Sequence, residues 1–394
     1  MKKKVLFVNY SLHSGGVEKS LVTLLSLFDY EEYDVSLQLF VAEGLFMNAV
    51  DKNVKILPPF FPPEYRLNIR KAFFSLLKQK KIRMAMKRLQ ITLTTRTGTL
   101  GDRFARAYKA ERVFLVPKIK EQYDAVIAFM EGQPLYYVAD KVDCSNKVGF
   151  IHGDYIAMGL DKDADLPYIN KLNALCTVSS SCKDALDKVF PNNKSKHYVI
   201  NNIISKKLIL KLAQEKGFDD DFEGTKILSI ARLSHQKGLD VGLEAVAKLK
   251  ESGANFKWYI IGIGPEYDAL LAKAKALKVA DCVEFLGEQD NPYPYLNECD
   301  IYFQPSRFEG KAIAVDEAMV LQKPILLANF STAKDQIDNG KNGMIAEFSA
   351  QGLCDGLIKM IADAKLRESF SDELKKAKIT NETEIKKVYD IIEG

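Results

Sequence analysis

Two glutamates eight positions apart, Glu309 and Glu317, flank a glycine turn in the stretch Pro305 to Glu317. On one continuous helix they would stand roughly 12 Å apart along the axis. The apolar run Ile301 to Gln304 instead predicts a strand end. Gly310 predicts a turn, and the residues beyond it predict a helix that stops near Lys323 and Pro324. Glu309 then folds back over the helix start and Glu317 sits on an early turn. A helix N-terminus between two carboxylates offers free N–H groups and the positive end of a dipole to an anion. That suits a ligand with a phosphate in its middle and hydroxyls at both ends. Spacing alone also describes a surface turn and a helix with incidental acids.

Other residues could meet such a ligand. Arg232 and Lys237 follow the predicted strand Lys226 to Ala231, just before a helix that runs from Leu239 to Lys250. A guanidinium forks onto phosphate oxygens and an ammonium adds a point charge, a combination suited to a diphosphate. His152 and Asp154 follow the predicted strand Lys147 to Ile151, where open α/β sheets keep their sites. A solitary histidine is more often an ordinary loop residue, and only this position argues for more. Gly15 and Gly16 lie between the predicted strand Val5 to Asn9 and a helical run from Leu21 to Phe28. The pair is not a GxGxxG fingerprint, so no dinucleotide cofactor is expected. It can still let a phosphate or sugar approach the backbone, or it can simply make a tight turn.

These groups need sheets to hold them. Strand patterns also fall at 34–40, 54–57, 123–129, 173–178 and 198–202, then at 258–262, 283–287, 324–328 and 343–346, with helical patterns between many of them. Alternation of this kind predicts an α/β chain of two facing, doubly wound, Rossmann-like parallel-sheet domains. The N-terminal domain is expected over 1–203, with a C-terminal helix at 378–394 packing back on it. The second domain is expected over 204–377. Asp219, Asp220 and Asp221 fall in a predicted linker, and no metal site is expected there.

Composition is that of a globular chain, with 47% hydrophobic and 27% charged residues, enough for sizeable cores. Six cysteines without CxxC pairs argue for a reducing compartment and against disulfides or structural zinc. The N-terminus reads as a first strand, not a signal peptide, and no apolar run is long enough to span a membrane. The net charge of +4 hides an asymmetry. Residues 66–120 hold sixteen Lys/Arg against Asp102 and Glu111, which leaves the rest of the chain acidic. Within this segment Phe73, Phe74, Leu76, Leu77, Ile82, Met84 and Met86 interleave with cations. A basic amphipathic helix of this type suits an anionic membrane surface, and a solvated insertion is the plain alternative. No RNP, zinc-finger or KH signature supports nucleic acid.

Taken together, Glu309 with Glu317, Arg232 with Lys237 and the two-domain plan resemble the retaining GT-B glycosyltransferases, family 4 of the sugar transferases. The likeness is strongest from Lys226 to Ala346, and Gly15-Gly16, His152 and Ser179 carry it in the first half. The resemblance implies that Arg232 and Lys237 hold the diphosphate of a nucleotide sugar, that Glu317 binds ribose and that Glu309 binds the sugar. It implies that the backbone of Gly310, Lys311, Ala312 and Ile313 reaches sugar hydroxyls and phosphate. His152 would lie near the anomeric centre, and Gly15 and Gly16 near phosphate and acceptor. It further implies retention of anomeric configuration, with no metal or other cofactor. Lys311, Ala312 and Ile313 depart from the commoner pattern after Glu-Gly. Lys311 either touches an acidic sugar or, as expected here, points outward.

The expected protein is a cytoplasmic enzyme, peripheral on the inner face of the cell membrane through 66–120. It would move a hexose or N-acetylhexosamine from a UDP-sugar to a lipid-linked or polysaccharide acceptor. The alternatives are a nucleotide-sugar epimerase or phosphorylase of the same fold, or a non-catalytic membrane-surface binding protein.

Overall fold

A computed structural model describes residues 2–13, 15–112, 115–377, 379 and 381–394. Positions 113 and 114 of the basic segment and 378 and 380 of the expected C-terminal segment lie outside the described residues. The chain divides into two compact units, Met1–Ile203 with Glu382–Gly394, and Ile204–Asn381.

In the first unit the elements run β1 (Lys3–Asn9), α1 (Gly16–Ser26), β2 (Tyr33–Leu39) and β3 (Lys55–Ile56), then α2 (Ile69–Lys78), α3 (Ile82–Thr94) and α4 (Leu100–Glu111). There follow β4 (Ala125–Ala128), α5 (Gln133–Lys141), β5 (Lys147–Ile151), α6 (Lys162–Ile169), β6 (Ala174–Thr177), α7 (Ser180–Val189) and β7 (His197–Val199). The strands form one parallel sheet in the order β3-β2-β1-β4-β5-β6-β7. Both faces are covered, so alternate residues of β1 enter different cores. Leu6 and Val8 pack with Leu135 and Tyr136 of α5, while Val5 and Phe7 pack with Leu21 and Leu25 of α1.

The basic segment is not the single amphipathic helix its pattern predicts. Lys80 takes a left-handed turn (φ 59°) that separates α2 from α3, and a Thr99–Asp102 capping box starts α4. The three helices turn Ala72, Leu76, Ala85, Ile91 and Tyr108 into the core, and Phe73, Leu77 and Met84 pack against it. Arg88 also turns inward, donating to the carbonyls of Tyr65 and Leu67. Part of the apolar content is therefore core, while Phe74, Ile82, Met86 and Leu93 stay exposed.

The second unit runs α8 (Lys206–Leu212), β8 (Thr225–Ile230), α9 (Leu239–Glu251), β9 (Phe256–Ile261), α10 (Tyr267–Ala276), β10 (Val283–Gly287) and α11 (Tyr293–Glu298). It continues with β11 (Ile301–Gln304), α12 (Ile313–Val320), β12 (Ile325–Ala328), β13 (Met344–Ala346), α13 (Ala350–Ala362) and α14 (Ala364–Lys376). Its parallel sheet has the order β10-β9-β8-β11-β12-β13. The strand order matters for chemistry. It makes β8 and β11 neighbours, with Ile301 beside Ile227, although 70 residues of chain, 231–300, separate the two strands. A buried hydroxyl reinforces the pairing: Trp258 Nε1 donates to Ser229 Oγ, which donates to the Phe303 carbonyl. The polar stretch around Asp219–Asp221 belongs to this unit, where Asp220 pairs with Lys257 at 2.8 Å and accepts from Tyr259.

The last helix, α15 (Ile385–Glu393), belongs to the first unit. Val388 and Ile392 enter the core beside α1, and Tyr389 stacks on Tyr33 with ring centroids 5.1 Å apart. Asn146 Nδ2 donates to the carbonyls of Ile391 and Ile392, so the helix end is held by hydrogen bonds as well as apolar contact.

Candidate active site

In the second unit the loops after β8 and β11 leave adjacent strands at the carboxyl edge of the sheet. Gly238 lets them touch. Its φ is +62°, and a Cβ there would lie 1.9 Å from the Pro305 carbonyl oxygen, so only glycine fits. Arg307 ties the same loops together. It forks onto both carboxylate oxygens of Asp240 at 2.6 and 2.7 Å and also donates to the His235 carbonyl. This fork holds the Asp240 carboxyl below the ordinary range.

On that frame Lys237 Nζ lies 2.6 Å from Oε1 of Glu309, the lysine side chain 19% exposed and the glutamate 5%. Oε1 also accepts from Ser306 Oγ at 2.6 Å and Gln304 Nε2 at 3.0 Å. Oε2 receives one longer bond, from Gln236 Nε2 at 3.3 Å. One oxygen is therefore saturated by protein donors, while the other retains capacity for a ligand hydroxyl. Gln304, Ser306 and Gln236 were not singled out in the sequence. Gln304 and Ser306 fall within or beside the glutamate stretch, and their buried polar character was the available signal.

Glu317 lies on the second turn of α12, 2% exposed, and accepts from the Tyr293 hydroxyl at 3.1 Å. Tyr302 lies where the charges of both Glu317 and Glu309 reach it. Burial first, then those two charges, push its hydroxyl far above the ordinary tyrosine range. The two glutamates thus belong to one electrostatic environment. Arg232 leaves the end of β8 exposed, and among the described residues it has neither a hydrogen bond nor an ion pair. Its guanidinium is available for an anion.

Two expectations for the loop between the glutamates are corrected. Lys311 does not point outward. Its side chain is 14% exposed and its Nζ lies 3.3 Å from Asp316 Oδ2. The backbone N–H of Ala312 does not await a ligand either, because it donates to Gln336 Oε1 at 3.0 Å. The Ala312 side chain cannot cap α12, so a side chain from the next crossover takes that role. Gly310 is buried in the loop, and Ile313 opens the helix.

The first unit holds the remaining candidates. His152 follows β5, with Nδ1 3.1 Å from Asn202 Oδ1 and its backbone N–H donating to Glu131 Oε2 at 3.1 Å. Its ring stacks on Phe150 and tilts against Phe129. Burial holds its pKa down to about 4, so the ring is neutral near pH 7. Nε2 is buried without a partner among the described residues, which leaves a lone pair when Nδ1 carries the proton. Burial also raises the Glu131 carboxyl, a neighbour the sequence did not single out. Asp154 serves the local turn, accepting from the N–H groups of Ile156 and Ala157.

Gly15 is the N-cap of α1 and Gly16 its first residue. A Cβ on Gly15 would lie 2.0 Å from Glu18 Oε2, so the Glu18 carboxylate occupies the space above the glycine. A phosphate entering there would have to move that side chain, since two anions repel. Among the described residues no group of three or more His, Cys, Asp or Glu is placed to hold a metal ion.

Residues 213–377 match the family model for glycosyl transferases group 1. The amylovoran biosynthesis glycosyltransferase AmsK of Erwinia amylovora is 36% identical over 145 residues, a match spanning 34% of this chain and 35% of that protein. A second relative, from Campylobacter jejuni, is named N-acetylgalactosamine-N,N'-diacetylbacillosaminyl-diphospho-undecaprenol 4-alpha-N-acetylgalactosaminyltransferase. It is 25% identical over 384 residues, spanning 95% of this chain and 94% of that one. Among solved structures, Anabaena HepE in complex with UDP and glucose superposes with a TM-score of 0.71 at 18% identity, covering 99% of each chain. WaaG, a glycosyltransferase involved in lipopolysaccharide biosynthesis, gives 0.64 at 15% identity, covering 99% of this chain and 100% of that one. Family model and fold point the same way: residues 213–377 resemble glycosyl transferases group 1, and the chain has the GT-B fold.

Proposed function

We propose that the protein is a retaining glycosyltransferase that moves a hexose or N-acetylhexosamine from a UDP-sugar to a lipid-linked or polysaccharide acceptor in surface glycan synthesis. The observation that carries this reading is the convergence of Lys237 on Glu309, with Arg232 on the same loop and Glu317 on the helix that follows Glu309. An ammonium has three donors, and Glu309 engages one of them. The others are available to diphosphate oxygens, and Arg232 adds a fork. Glu309 Oε2 accepts a sugar hydroxyl and Glu317 takes the ribose. In transfer, the bond from the anomeric carbon to the diphosphate oxygen breaks. The acceptor oxygen bonds to that carbon on the same face, and its proton passes to the departing diphosphate. Two cations and a helix N-terminus stabilise the charge that develops there, without a metal ion.

The names of the relatives support the acceptor class. For location, Phe74, Ile82, Met86 and Leu93 are each more than half exposed on α2 and α3, among the lysines of a segment with sixteen basic residues. That surface suits the anionic inner face of a membrane, where a lipid-linked acceptor is presented.

The test is a thermal-shift screen of UDP-Glc, UDP-Gal, UDP-GlcNAc, UDP-GalNAc and GDP-Man, followed by titration calorimetry on Arg232→Ala and Lys237→Ala. A UDP-sugar should stabilise the wild-type protein, and both variants should bind it at least tenfold more weakly. Equal affinity in wild type and variants refutes the diphosphate assignment. Turnover of a sugar nucleotide without acceptor points to an epimerase instead.

A further inference from the structure

We propose that Thr332, Gln336 and the Lys311–Asp316 pair form a latch under the loop from Glu309 to Ile313, making them positioning residues for the sugar end of the donor. This rests on the donor reading above. The latch grips the loop at three points. At its start, Thr332 Oγ1 donates to the Glu309 carbonyl at 3.1 Å. At its end, Gln336 embraces Ala312, accepting from its N–H at 3.0 Å and donating to its carbonyl at 2.9 Å. Between these points, Lys311 folds down to Asp316 Oδ2 at 3.3 Å, and Gln336 Nε2 donates to Asp316 Oδ1 at 3.0 Å.

Thr332 and Gln336 lie four residues apart on either side of the short turn Ala333–Asp335 that follows β12. One crossover therefore supplies both ends of the grip. Thr332 is fully buried, and Asp316 and Gln336 are nearly so. Such groups cost folding energy unless they are paired; Thr332 and Gln336 hydrogen-bond to the loop, while buried Asp316 Oδ2 has only the Lys311 charge beside it among the described residues. The charge on Lys311 is matched by Asp316 within the protein. Its role is therefore to hold the loop, not to select an acidic sugar. Glu309 is positioned from both sides: Lys237, Gln304 and Ser306 orient its carboxylate, while Thr332 fixes its backbone.

Titration calorimetry separates this latch from a general structural role, because the diphosphate cations Arg232 and Lys237 lie on the loop after β8, not on the loop the latch grips. Gln336→Leu, Thr332→Val and Lys311→Met would each be titrated with UDP and with whichever UDP-sugar stabilises the wild type most. UDP affinity should stay within about twofold of wild type, while the extra affinity contributed by the sugar falls about tenfold. Burial already raises the Asp316 carboxyl, so Lys311→Met leaves a group able to take up a proton. Lys311→Met combined with Asp316→Asn should be no worse than the more damaging single change. An unchanged sugar contribution overturns the latch, as does an equal loss of UDP and UDP-sugar binding. Failure of the wild-type protein to bind UDP or any UDP-sugar overturns the functional reading itself, which keeps the two failures distinct.

Discussion

Lys237 and Glu309 form a nearly buried ion pair, Nζ to Oε1 at 2.6 Å, between loops that meet only because β8 and β11 are adjacent. The cation assigned to the diphosphate therefore also orients the carboxylate assigned to the sugar. Such a pair contributes little net stability while intact, but losing one partner leaves a stranded charge. Lys237→Met is expected to lower unfolding stability by about 3 kcal/mol, whereas Lys237→Met with Glu309→Gln recovers part of it. Urea denaturation of the two variants checks this. Equal stability of wild type and Lys237→Met refutes it.

Tyr293 and Glu317 should separate along ligand lines. Tyr293→Phe removes one donor from a carboxylate that is expected to hold ribose. UDP affinity should change by less than about fivefold in Tyr293→Phe but fall about a hundredfold in Glu317→Ala. A smaller loss in Glu317→Ala than in Tyr293→Phe, measured by calorimetry, would remove Glu317 from the ribose site.

Two buried groups give opposite pH slopes. Burial holds His152 down to about 4, so between pH 4 and 6.5 the unfolded chain binds a proton that the folded one refuses. Stability from this group rises with pH across that window and is complete above it. Burial pushes Glu111 up to about 8, so from about pH 4.5 to 8 the folded chain holds a proton that the unfolded one releases. That contribution is lost as pH rises through 8. Each pH unit inside a window is worth at most about 1.4 kcal/mol. Glu111→Gln should abolish a decline between pH 5 and 8, and His152→Gln a rise between pH 4 and 6.5. Denaturation series at those pH values check both, and unchanged slopes in the variants refute the burial argument.

Membrane attachment is expected to need both charge and apolar surface. Phe74→Ser with Ile82→Ser, and separately Lys78→Gln with Lys80→Gln and Lys81→Gln, should each cut sedimentation with anionic vesicles at low salt by about tenfold. Neutral vesicles should not bind the wild type. Equal binding of wild type and both variants would discard the surface.

The α/β plan, the strands and the pairing of glycine turn with glutamates were legible in the sequence. Each rests on local rules: apolar runs of strand length, alternation with helical periods and turn residues at fixed places. Local pattern also pointed to Arg232, Lys237 and His152, because strand ends at a sheet's carboxyl edge are where such sites lie. The latch was not legible. Thr332 and Gln336 read as ordinary polar residues of a turn, and Lys311 read as an outward lysine, because no period or motif links positions on different crossovers.

The basic segment shows the same limit. Its alternation of cations and apolar residues predicts an amphipathic surface, yet only contact with the sheet decides that Leu76 and Ile91 are core while Phe74 and Leu93 stay exposed. What the sequence determined by itself is which elements form and which chemistry each end can offer. What the tertiary structure decided is which ends meet. Strand order brings residues more than 70 positions apart into contact, as at Lys237 and Glu309, and burial then removes water as the alternative partner for every polar group placed there.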